Sequence, residues 1–83
     1  MIKVLNARLT APFTLEIDFS DNTQGVFGAN AYLATRSGPL LDKLREPTYF
    51  QRFFIDAGAL CWPNGLELSP AKVHEQSVIQ LTA

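Results

Sequence analysis

The sequence predicts a small α+β domain, in which an antiparallel sheet built from two hairpins packs with two or three short helices. The order of the patterns predicts this fold: strands come first, then a short helix, a second hairpin and a closing helix. With 83 residues and 47% apolar content, the chain has the size and composition of one ordinary globular domain. We therefore expect a single domain over residues 1–83.

The clearest strand pattern is the alternation in FTLEIDF. The apolar residues of this stretch, which share one strand face, are Phe13, Leu15, Ile17 and Phe19. That face is predicted to lie on the core, and Glu16 and Asp18 are predicted to face water. The turn residues SDNT at 20–23 lead to a shorter strand in QGVFGA, which completes a hairpin. The strand before it, at 2–9, changes parity near Leu5, which indicates either burial on both faces or a bulge.

Two helical segments are predicted between the hairpins. NAYLAT forms one helical turn with Asn30 as its cap, and SGPLLDKLRE forms a helix with Pro39 in its first turn and Pro47 after its end. The apolar stripe of this second helix consists of Leu40, Leu41 and Leu44. The stretch PTYF at 47–50 is predicted to be a turn.

The stretch QRFFIDAGALCW predicts the second hairpin, with a tight turn at Ala57–Gly58. Phe54 falls on the strand face opposite Phe53, so we expect either a helix or an interface to cover it. The next segment, WPNGLELSP, is predicted to lead the chain into the last helix through a type I turn, an N-cap and a proline in the first helical turn. The residues of this structural motif are Trp62, Pro63, Asn64, Gly65, Ser69 and Pro70.

The chemistry-bearing residues do not indicate an enzyme. The net charge is −1, which argues against direct nucleic-acid binding. His74 and Cys61 are the only residues of their types, too few for a zinc site, and we expect His74 to be exposed on a helix and Cys61 to be a buried strand residue. We predict no catalytic residue, no metal and no cofactor. The sequence pattern shows neither a signal peptide nor a membrane-spanning stretch, so the expected location is the cytoplasm.

After these exclusions, protein–protein interaction is the function that the sequence favours. The predicted partner-binding residues are Phe54, Tyr49, Val78, Ile79 and Leu81. The uncharged tail SVIQLTA would be an aggregation-prone edge if it were bare, so we expect it to be docked on its own sheet or paired with another chain. We therefore predict a homo-oligomer or a complex with a small partner protein. A different function stays open, namely a small-ligand-binding or weakly catalytic domain that uses Glu16, Asp18 or the surroundings of Trp62.

The order of these motifs resembles a known family over roughly residues 2–74. The stretches LEIDFSDNT, GVFGANAYL, LLDKLREPTYF, FFIDAGALCWPNG and LELSP, in this order, resemble the bacterial domain-of-unknown-function family 2442. Members usually carry Gly where Asn22 stands and Asp where Glu67 stands, and both replacements keep the local chemistry. The resemblance implies a small α+β domain that is often encoded beside a short toxin-like protein and treated as a candidate antitoxin. It implies no catalytic residue.

Overall fold

The computed structural model describes residues 1–80, which form two antiparallel sheets and four short helices. The elements of this part of the chain are β1 (Val4–Ala11), β2 (Thr14–Phe19), β3 (Gln24–Gly28), α1 (Ala29–Ala34), α2 (Pro39–Lys43), α3 (Pro47–Phe50), β4 (Phe54–Asp56), β5 (Ala59–Cys61), β6 (Glu67–Leu68), α4 (Pro70–Gln76) and β7 (Val78–Gln80). One sheet has the order β1-β2-β3-β7 and the other the order β4-β5-β6. The predicted α+β fold class is confirmed.

The alternation predicted for FTLEIDF is confirmed over β2. The fully buried residues on the core face of this strand are Leu15, Ile17 and Phe19. Glu16 and Asp18 lie on the opposite face and are half-buried, because a neighbouring arginine covers part of each carboxylate. The period of two in the sequence therefore determines which face of the four-stranded sheet meets the core.

Phe13 differs from the prediction, because it does not belong to the strand. It is the second residue of the two-residue turn between β1 and β2, where it follows Pro12 and has a φ of 59°. Proline favours the first central position of type I and type II turns, and a positive φ at the second central position is typical of type II. The Phe13 side chain packs against the edge of the core, and its ring centroid lies 5.4 Å from that of Phe50.

The bulge near Leu5 is the alternative that the structure confirms for the first strand. The pairing of β1 with β2 shifts register between Val4 and Asn6, so Val4 is buried while Leu5 is 63% exposed. The backbone N–H of Val4 donates a hydrogen bond to the carbonyl oxygen of Gly58 at 2.8 Å. This bond joins β1 to the turn of the second hairpin, and one hydrophobic core continues between the two sheets.

The carboxyl-terminal residues that the structure describes are docked on their own sheet. In β7, Val78 pairs with Val26, and Gln80 pairs with Gln24 of β3. Ile79 pairs with Gly25 on the core side, where it packs against the core. Of the two expected ways to cover the tail, docking on its own sheet is the one observed for residues 78–80.

The helices differ from the prediction at three positions. α1 begins at Ala29 with Gly28 as its N-cap, so Asn30 lies within the helix and does not cap it. α2 ends at Lys43 after five residues, so Leu44, the one fully buried leucine of the predicted stripe, lies just after the helix, and Leu40 within the helix is 45% exposed. The stretch PTYF, expected as a turn, forms α3, since proline at the first position of a helix costs no hydrogen bond.

The predicted exit from the second hairpin is confirmed in detail. The N–H of Gly65 donates to the carbonyl oxygen of Trp62 at 3.1 Å, which closes the four-residue turn, and Gly65 has a φ of 92°. The Ser69 hydroxyl accepts a hydrogen bond from the N–H of Lys72 at 3.2 Å, and Pro70 is the first residue of α4. Among residues 1–80, no helix is both long and apolar enough to cross a membrane.

Candidate interaction surface

The outward face of the three-stranded sheet carries a large exposed aromatic side chain, that of Phe54. The turn between β4 and β5 has a φ of 52° at Ala57 and 81° at Gly58, the positive values that a tight two-residue hairpin turn requires. This turn fixes the register so that Phe54 pairs with Cys61. Because side chains alternate along a strand, Phe54 faces away from the core and is 46% exposed.

The core-facing residues of the same sheet pair with one another. Ile55 of β4 pairs with Leu60 of β5, which in turn pairs with Leu68 of β6. Leu60 and Leu68 are buried, and Ile55 packs against the core. The exposure of Phe54 therefore follows from the alternation and not from a loose strand, since a shift of one residue would expose the leucines instead.

Phe54 borders a shallow depression with a volume of about 170 Å³. The other residues that line it are Asp56, Cys61, Trp62, Gly65, Leu66 and Glu67. We call this surface the Phe54 face. Cys61 and Trp62 are its buried members, and Asp56 and Glu67 are exposed. The face thus combines an aromatic ring, an apolar base and two carboxylates.

The thiol at the base of the Phe54 face is not a reactive one. Cys61 is buried, and burial raises the pKa of its thiol, with a further increase from the negative charges of Glu67 and Asp56. Its Sγ donates to the carbonyl oxygen of Ala59 at 3.6 Å. A catalytic thiol needs the opposite shift of its pKa, so Cys61 contributes packing here.

The remaining predicted partner-binding residues lie in different environments. Tyr49 is part of the core, and its hydroxyl oxygen accepts a hydrogen bond from the N–H of Asn64 at 2.7 Å. Ile79 also packs on the core, whereas Val78 is 71% exposed on the outer face of β7. Leu81 lies outside the residues that the structure describes. Of the predicted partner-binding residues that lie within residues 1–80, only Phe54 and Val78 offer a large exposed apolar side chain, and they belong to different sheets.

The carboxylates named in the alternative hypothesis are bound by an arginine that the sequence analysis did not single out. Arg8 of β1 contacts Glu16 Oε1 through its Nη2 at 2.7 Å and Asp18 Oδ2 through its Nη1 at 3.0 Å. The Nε2 of Gln24 also donates to Asp18 Oδ1 at 3.0 Å. The side-chain hydrogen bond from Arg8 is the main reason that the pKa of Asp18 lies below its ordinary value. Glu16 and Asp18 are therefore joined across the sheet as an ion-pair network.

His74 also differs from the expectation of an exposed helix residue. Its side chain is 28% exposed and packs edge-on against the ring of Phe19, with centroids 4.7 Å apart. Its Nε2 lies 3.2 Å from Asp21 Oδ2 and 3.3 Å from the Thr23 hydroxyl oxygen. A catalytic triad needs the carboxylate and the hydroxyl on opposite ring nitrogens. Because both groups contact the same nitrogen, this cluster does not have the arrangement of a triad, and it connects α4 to the turn between β2 and β3.

The fold and the surface together define a small α+β domain with two linked antiparallel sheets and one exposed aromatic face. A family model described as "Protein of unknown function (DUF2442)" matches residues 4–77, which is most of the chain. The chain belongs to this family, as the resemblance indicated. No curated protein and no solved structure gives a significant match.

Proposed function

We propose that this chain is a non-enzymatic protein-interaction domain that binds a partner protein through the Phe54 face. The observation that carries the proposal is the exposure of Phe54 on a sheet whose register is fixed by a tight turn and by buried leucines. A phenyl ring held outward by a rigid scaffold buries much area on binding and loses little conformational entropy. Large aromatic side chains of this kind are typical anchors of protein interfaces.

The family gives this proposal a more specific form. Because such domains are often encoded beside a short toxin-like protein, we propose that the partner is a small protein of that kind and that the domain acts as its antitoxin or as a regulatory accessory. We further propose a bacterial, cytoplasmic setting. Tyr49, which is buried, and Ile79, which is partly buried, then contribute to the core and do not touch the partner.

Affinity capture tests the proposal. The tagged chain is used to isolate bound proteins from the native cell, in parallel with the variants Phe54→Ala and Leu40→Ala. Leu40 is a matched control because its exposed fraction, 45%, equals that of Phe54 within one percentage point, and it lies on α2. We expect the parent and the Leu40 variant to retain one small protein in stoichiometric amount and the Phe54 variant to lose it. Equal retention by all three, or by none, would contradict the proposal.

A further inference from the structure

The chemistry of the Phe54 face identifies the kind of partner segment that fits it. We propose that this face receives a basic segment of the partner, with an arginine or lysine side chain held against the Phe54 ring and paired with Asp56 and Glu67. The inference rests on the proposed function, because it names the partner chemistry for the same surface. It follows from the ring, the two carboxylates and the absence of any ion pair to these carboxylates among residues 1–80.

The two carboxylates are free to accept a cation from outside. The carboxylates that form ion pairs within residues 1–80 are Glu16, Asp18, Asp21, Asp42 and Glu46. Asp56, Glu67 and Glu75 form none within that part of the chain, and two of these three border Phe54. The negative charges of Glu67 and Asp56 both add to the effect of burial in raising the pKa of the Cys61 thiol. The two carboxylates therefore lie close to the same point at the base of the depression.

Two basic side chains lie on segments that adjoin the face, and neither forms an ion pair with its carboxylates. The Arg52 guanidinium lies over the Tyr49 ring, 5.8 Å from its centroid. The Lys3 side chain passes over Gly58, so closely that a Cβ added to this glycine would come within 2.8 Å of the Lys3 Cβ. Neither basic group lies within ion-pair distance of Asp56 or Glu67 in residues 1–80. Neither carboxylate of the face is therefore taken up by an ion pair within residues 1–80.

An aromatic ring beside carboxylates is selective for a cation that also carries apolar carbon. The face of a phenyl ring attracts an ammonium or guanidinium group, and the methylene stem of arginine or lysine packs on the same surface. A carboxylate beside the ring adds a charge-assisted hydrogen bond, which arginine can make with two N–H groups. An acidic partner segment would meet two like charges here and lose binding energy.

A second copy of this chain does not fit the same face. A two-fold dimer brings identical patches together, so the carboxylates of one Phe54 face would meet those of the other. Like charges in a closing interface oppose association unless a cation lies between them. The charge of the face therefore favours a different, basic protein over self-association.

Nuclear magnetic resonance titration of the full chain, labelled with ¹⁵N, tests the proposal with defined probes. The probes are three short capped peptides of equal length that alternate leucine with arginine, with glutamine or with glutamate. We expect the arginine peptide alone to shift the amide signals of residues 54–56, 59–61 and 65–67. Raising the NaCl concentration from 50 mM to 500 mM should weaken this binding, because salt screens exposed charges.

Charge-neutral variants separate the carboxylates from the ring. The double variant Asp56→Asn with Glu67→Gln should bind the arginine peptide about tenfold more weakly, the sum expected for two exposed ion pairs. Glu75→Gln is the matched control, because it removes a carboxylate that also lacks an ion pair within residues 1–80 but lies on α4. It should bind as the parent does. The dispersion of the amide spectrum verifies that each variant is folded.

The basic-segment inference can fail while the proposed interaction function stands, and the possible outcomes distinguish the two. Equal shifts with the arginine and glutamine peptides, shifts outside the Phe54 face, or no shift with any peptide would overturn the basic-segment inference. Capture of a natural partner that depends on Phe54 but not on Asp56 and Glu67 would also overturn it and leave the interaction function intact. Self-association of the chain through this face, detected by sedimentation, would replace the proposed partner with a second copy.

Discussion

The indole Nε1 of Trp62 donates a hydrogen bond to the carbonyl oxygen of Phe50 at 3.0 Å, and the two ring centroids lie 5.7 Å apart. This pair connects the last residue of α3 with the turn that follows β5. Trp62 is 1% exposed, so the bond is shielded from water. Although Trp62 also lines the Phe54 face, its contacts show that it is primarily a structural residue.

Trp62→Ala should lower the free energy of unfolding by about 3–5 kcal/mol, which is most of the stability of a domain this small. Trp62→Phe keeps an aromatic ring but removes the indole donor, so that the Phe50 carbonyl oxygen keeps only the longer hydrogen bond from the Phe53 N–H at 3.4 Å, and we expect an intermediate loss of about 1–3 kcal/mol. Urea denaturation followed by circular dichroism measures both. If Trp62→Ala melted like the parent and only lost a partner, the structural role would be wrong.

Ala57→Asn should raise the stability of the second hairpin. Ala57 is exposed and has a φ of 52°, a region that an alanine backbone adopts only at a cost. Asparagine tolerates this conformation, and Asn followed by glycine is a preferred pair for such a turn. We expect a gain of about 0.5–1 kcal/mol in urea denaturation.

Gly58, the next residue of this turn, provides a control substitution that should change the stability in the opposite direction. Gly58→Ala should destabilise, because Gly58 has a φ of 81° and the new Cβ would lie 2.8 Å from the Lys3 Cβ. Destabilisation by Ala57→Asn would show that the turn does not keep its present geometry in solution.

The sequence predicted the elements that short-range patterns determine. The buried face of β2, the tight turn at Ala57–Gly58 and the Ser69 cap of α4 all depend on residues within a few positions of one another. The position of Phe13 was missed because alternation and turn chemistry competed at one residue, and Pro12 decided the result. Local rules were less reliable for the short helices, because the start of α1 and the existence of α3 were both missed.

The contacts that the sequence could not predict join residues far apart in the chain. His74 contacts the turn residues Asp21 and Thr23, and Thr23 lies 51 positions before it in the sequence. No local pattern connects residues so far apart. The exposure of Phe54 was predicted only as one of two alternatives, since strand parity does not say what covers the outer face. Arg8 was a missed signal that could have been found, because a cation in β1 is a natural cross-strand partner for the acidic face of β2.

Gly25→Ala should detach β7 from the four-stranded sheet. A Cβ added at Gly25 would lie 2.8 Å from Ser77 Cβ, 3.0 Å from Phe19 Cε2 and 3.2 Å from Ile79 Cδ1. Overpacking of this kind costs about 1–3 kcal/mol. Hydrogen exchange should show the amides of residues 78–80 losing protection before those of β2.

A second glycine of the same strand provides the control for Gly25. Gly28 has no atom within 4 Å of its added Cβ, so Gly28→Ala, which affects only the N-cap of α1, should cost less stability than Gly25→Ala. Equal effects of the two substitutions would indicate a general loss of strand flexibility and not a contact with β7.

The link between Asp21 and α4 predicts a dependence of stability on acid pH. The Thr23 hydroxyl, which donates to Asp21 Oδ1 at 2.5 Å, is the main reason that the pKa of Asp21 lies below its ordinary value of 3.8, and His74 adds to the effect. A carboxyl whose pKa is lowered by folding stabilises the folded state above its unfolded pKa. That contribution is lost as the pH falls through the lower folded value.

Asp21→Asn should therefore be less stable than the parent at pH 5, and the difference should shrink from about pH 4 downward. The measurement is urea denaturation at a series of pH values between 5 and 2, with Glu75→Gln as a control for the loss of one surface charge. Thr23→Val removes the donating hydroxyl, so the pKa of Asp21, followed by the carbon signal of its carboxyl group, should rise toward 3.8. A constant difference between the parent and Asp21→Asn across this range would show that Asp21 stabilises the turn without its charge.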